Sequence, residues 1–73
     1  MHYLVEVIRY GDPSLGVQFF GVFDDRDLIH QTLTEYNTYR GGKYPAYYVT
    51  PTQMNPVKMQ PLSDYHRELV NIK

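Results

Sequence analysis

Two clusters in this 73-residue chain carry residue types that can do chemistry. The first is Tyr39-Arg40-Gly41-Gly42-Lys43-Tyr44, followed by Tyr47-Tyr48. It interleaves two cations with aromatic rings around a glycine pair. Rings that stack on bases, beside cations that meet phosphates, hold single-stranded nucleic acid without reading its sequence. Tyr and Arg are also enriched where proteins bind proteins. The plain reading of the same residues is a helix stop at Gly41-Gly42, with Arg40 well placed at the negative end of the helix. The second cluster is Asp24-Asp25 with Asp27. It lacks the glycine and the terminal glutamate of a calcium loop. A helical pattern follows it, so these carboxylates are read as helix capping.

Other chemistry is thin. The chain has no cysteine, which excludes disulfides and thiolate metal sites. His2, His30 and His66 are far apart, and none forms an i, i+4 pair with another histidine, so no metal site is expected. Ser14 and Ser63 sit in turn and cap contexts without the glycine-flanked elbow of a hydrolase. Glu6 and an aspartate of the cluster form no spacing that singles out an acid–base pair. Gly11 and Gly16 flank a loop between strands, with no helix N-terminus to receive a phosphate. The expectation is a protein that is not an enzyme, with no catalytic residue and no cofactor.

The totals narrow the class further. The length allows one small domain, whose single core is marginal. A formal net charge of -1 gives no global attraction to nucleic acid or an anionic membrane. No apolar run approaches the roughly 20 residues needed to span a bilayer. The first residues do not read as a signal peptide. With no cysteine, a cytoplasmic protein that does not engage the membrane is expected. The chain has 8 Tyr and no Trp, which suits rings that are half in a core and half in a binding surface.

The elements that must position these residues follow from periodicity. Tyr3, Val5 and Val7 alternate with Leu4, Glu6 and Ile8, so residues 3–10 read as a strand with two apolar faces. Gly11-Asp12-Pro13-Ser14-Leu15-Gly16 is a loop. Residues 17–23 form the second strand, with Phe19, Gly21 and Phe23 on one face and Phe20 and Val22 on the other. The two strands should form an antiparallel hairpin. Ile29, Leu33 and Tyr36 then mark the inner side of a helix that ends at Gly41-Gly42. Residues 43–50 are the third strand, at an edge or starting after Pro45. Pro51, Pro56 and Pro61 space an extended segment, with Val57-Lys58-Met59 as a short strand. Ser63 is placed to cap a final helix from Asp64 to about Ile72. The expected fold is α+β: a three-stranded antiparallel sheet of order 2-1-3, with one main helix on one face. In domain terms, residues 1–50 are a β-β-α-β core, and residues 51–73 are an extension of the same domain with a short C-terminal helix.

The run Gly21-Val22-Phe23-Asp24-Asp25, and residues 44–49 after the helix, resemble a broad group of small β-β-α-β proteins of bacteriophages and bacteria. The resemblance covers residues 3–50. It implies a small regulator that binds and inhibits a host machine, such as RNA polymerase, a nuclease or a defence complex. By elimination, the residues themselves also favour protein binding. Tyr39, Arg40, Lys43, Tyr44 and Tyr47 are the expected partner-binding residues, with a host protein or a second copy as partner. The alternatives are a single-stranded nucleic-acid-binding module using Arg40, Lys43 and Tyr44, and a homodimeric structural module.

Overall fold

The computed structural model describes residues 2–54, 59–61 and 67–72. Strand β1 (His2–Ile8) pairs antiparallel with β2 (Val17–Phe23), from Tyr3 opposite Phe23 to Ile8 opposite Val17. Two short 3-10 turns, Arg9–Gly11 and Pro13–Leu15, connect them. Asp12 Oδ1 accepts from the Ser14 backbone N–H at 3.0 Å and from its hydroxyl at 2.7 Å. Both bonds favour the carboxylate, so Asp12 lies below its ordinary pKa.

Helix α1 (Arg26–Tyr39) starts at Asp25, whose Oδ1 accepts from the N–H groups of Asp27 and Leu28 at 2.9 and 3.4 Å. Such a cap is worth about 1 kcal/mol. The helix stops where expected. Gly41 and Gly42 take φ values of 71° and 80°, which glycine adopts without strain. The Gly41 N–H donates to Thr38 O, and the Gly42 N–H donates to Asn37 O. This paired closure satisfies carbonyls that the helix end would otherwise strand.

Strand β3 (Ala46–Met54) begins after Pro45 and runs antiparallel beside β1, from Ile8 opposite Ala46 to His2 opposite Thr52. The α+β class and the order 2-1-3 hold, but the sheet is wider than three strands. The outer side of β3 is shared. Strand β4 (Met59–Pro61) pairs with Thr52–Met54, and β5 (Glu68–Asn71) pairs with Ala46–Val49. β3 is therefore an interior strand. Pro51 falls between these two partner stretches, so no ladder bond is required of it on that side. Of the short strand expected at 57–59, Met59 begins β4, and 57 and 58 lie outside the described residues.

The expected C-terminal helix is corrected over Glu68–Asn71, which is strand. Val70 and Ile72 pack on the core and alternate with the exposed Leu69 and Asn71, a period-two pattern that pairing with β3 stabilises. The Ser63 cap lies outside the described residues.

α1 covers one face of the sheet. Val5, Val7, Ile29, Leu33, Tyr44, Tyr47 and Val49 are buried together there. A second correction concerns β2. The register shifts between Val5 and Glu6: Val5 faces Gly21, Glu6 faces Phe19, and Phe20 has no opposite residue. This bulge reverses the alternation at that point. Phe20 therefore joins Phe23 against the helix, with its ring 4.8 Å from that of Tyr36. Phe19 is turned to the opposite face and is 61% exposed.

Candidate binding surfaces

The expected partner-binding residues divide into two environments. Tyr44 and Tyr47 are buried, so neither presents a free ring. Tyr44 is held from three sides. Its N–H donates to Asn37 Oδ1 at 2.8 Å, its hydroxyl donates to Gln18 Oε1 at 3.2 Å, and its ring stacks on Tyr36 at 5.5 Å. Tyr36 in turn meets Phe20, so an aromatic column links β2, α1 and the start of β3. The Tyr47 hydroxyl lies 2.9 Å from His30 Nδ1.

Burial is the main reason that the Tyr47 phenol is pushed above its ordinary pKa of 10.0; Arg26 opposes the shift and Glu68 adds to it. The fold favours the neutral phenol, whereas the unfolded chain ionises at the ordinary value. Tyr47 therefore contributes stability that is complete below about pH 10 and declines as pH rises past it. Tyr47→Phe should reduce the fall in the urea midpoint between about pH 9 and about pH 11. An unchanged alkaline slope would place the loss on other groups.

Tyr39 and Arg40 are exposed, and Lys43 is half-buried. Tyr39 is 83% exposed. The Arg40 guanidinium donates to the Tyr36 hydroxyl at 2.9 Å and lies 5.6 and 5.4 Å from the ring centres of Tyr36 and Tyr44. The structure adds two residues that sequence spacing could not associate with them. The Tyr10 N–H donates to Lys43 O at 2.7 Å, which brings Arg9 and Tyr10 to the same end of the molecule.

The other surface is the outer side of β2. Among the described residues, β2 pairs only with β1. It is seven residues long and contains neither a charge nor a proline. Natural edge strands are usually blunted by such residues, and here the bulge at Phe20 is the visible device. On the face away from α1, Phe19 and Val22 stand open beside this edge. Across that face, Arg67 lies 4.5 Å from the Tyr48 ring centre and donates to Glu6 Oε1 at 2.8 Å. On the helix side, Arg26 pairs with Glu68 at 2.7 Å. The Arg26–Glu68 pair is about half open to water and is worth at most about 1 kcal/mol, whereas Glu6 is the more sheltered member of the other pair.

Comparison with family models, curated proteins and solved structures finds no match to this chain. Among the described residues there is no group of three potential ligands for a metal ion, and no helix is long and apolar enough to cross a membrane.

Proposed function

We propose that this chain is a non-enzymatic protein-binding module that accepts an extended strand of a partner protein on the free edge of β2. The observation that carries the reading is Phe19: a large ring, 61% exposed, on an uncharged edge strand. Main-chain bonds along such an edge supply affinity, and side chains at alternate positions supply selection. A partner with apolar residues opposite Phe19 and Val22 would complete both.

The bulge favours a foreign strand over a second copy. If β2 paired with its own twofold mate, residues equally far from the axis would have to face the same side of the sheet. With the axis at Phe20, Phe19 meets Gly21 of the copy, and the bulge has put these on opposite faces. A partner strand with its own irregularity is not bound by that symmetry. In a bacterial cytoplasm, a regulator that captures an extended strand of a host machine is the form this binding would take. The lack of cysteine suits that compartment.

The test is co-purification from a bacterial lysate with wild-type chain and with Phe19→Lys. The expected result is one stoichiometric protein held by the wild type and lost with the variant, while Tyr39→Ala retains it. A partner indifferent to Phe19→Lys, or none at low and moderate salt, would overturn the reading.

A further inference from the structure

We infer that the end of the molecule formed by Arg9-Tyr10 and Tyr39-Arg40-Lys43 is a binding site for single-stranded nucleic acid. This surface is distinct from the β2 edge, so the inference stands independently of the strand-binding reading.

The first support is juxtaposition. The bond between Tyr10 N–H and Lys43 O joins two segments that are remote in sequence. The turn also leans on the start of β3, since a β-carbon at Gly11 would stand 3.5 Å from Pro45. Two exposed rings, Tyr10 and Tyr39, thereby share one end with three cations, Arg9, Arg40 and Lys43.

The second support is charge. Among the described residues, Arg26 and Arg67 are engaged with carboxylates, whereas Arg9, Arg40 and Lys43 form no ion pair. The nearby Asp12 offsets one of these charges, yet the end remains locally cationic. Asp24, Asp25 and Asp27 lie at the opposite end of α1. The net charge of -1 thus hides an uneven spread of charge among the described residues. Arg40 is held by the Tyr36 hydroxyl and by two rings, so its planar guanidinium has less freedom to lose on meeting a phosphate.

The third support is strain. Tyr10 takes a φ of 54°, the one non-glycine residue in the left-handed region among the described residues. Glycine would occupy it more easily, and the Tyr10 ring is more than half exposed, so it serves no core. An exposed ring beside cations that form no ion pair among the described residues is what base stacking next to phosphate contact uses, and the Arg9 guanidinium lies 5.7 Å from the Tyr10 ring centre. A folded duplex would present its bases to these rings only at its ends, which selects for single strands.

The test is fluorescence anisotropy of labelled oligo-dT and oligo-U of about 12 nucleotides, across salt from about 20 to about 200 mM. Three phosphate contacts give an expected slope of log K against log salt of about −2, and Arg9→Ala and Arg40→Ala should each flatten it by about 0.7. Tyr10→Gly, whose backbone fits this φ, should weaken binding about fivefold or more with the slope and thermal stability unchanged. No binding at the lowest salt would overturn the inference. So would a slope indifferent to both arginines, or equal affinity for a polyglutamate peptide or a duplex of matched charge.

Discussion

Tyr44→Ala should cost about 3–5 kcal/mol, the range for emptying a buried aromatic site. Folded domains of this kind have only about 5–15 kcal/mol in total, and the smallest sit at the low end. The variant should therefore be largely unfolded, with its helical signal lost by circular dichroism. Three contacts disappear together: the Gln18 bond, the stack on Tyr36, and one ring beneath Arg40. Tyr44→Phe keeps the ring and loses only the hydroxyl bond, so it should cost about 1 kcal/mol. A urea titration of both variants separates this structural role from a binding role. A binding tyrosine would lose its partner and leave the fold intact.

The second large effect contrasts two adjacent phenylalanines. Phe20→Ala should destabilise by about 2–3 kcal/mol, less than a fully buried ring because Phe20 is half-buried. Phe19→Ala should stay within about 0.5 kcal/mol of the wild type in the isolated chain, as exposed sites do. Strict alternation from Phe23 predicts the reverse, with Phe19 inward. Unfolding midpoints of the two variants therefore measure the bulge directly. Equal losses would show that both rings pack.

These two cases also show where the sequence was legible. The hairpin, a cap at Asp24 or Asp25, the glycine stop and the inner residues Ile29 and Leu33 follow from local rules, and the structure has them, with Asp25 as the cap. The bulge did not follow. Either phenylalanine satisfies an apolar inner position, and only the pairing with β1 shows which one is displaced. β5 was misread because Tyr65, Leu69 and Ile72 fit a helical spacing as readily as Val70 and Ile72 fit a strand. The free side of β3 decided between them. Of the residues expected to bind a partner, Tyr39 and Arg40 are exposed and Lys43 is half-buried, whereas Tyr44 and Tyr47 belong to the core. A tyrosine beside a glycine turn looks the same in sequence whether its ring meets solvent or another tyrosine. Arg9 and Tyr10 are brought beside Lys43 by a long-range backbone bond, which residue spacing cannot reveal.

The outer edge of β2 is proposed to receive a partner strand. Amide hydrogen exchange across Val17–Phe23, measured for the free chain and for the complex purified with its stoichiometric partner, tests it most directly. Outward-facing amides of β2 should exchange quickly in the free chain and become strongly protected in the complex, with little change along β1. Protection that appears elsewhere while β2 stays unprotected would contradict it.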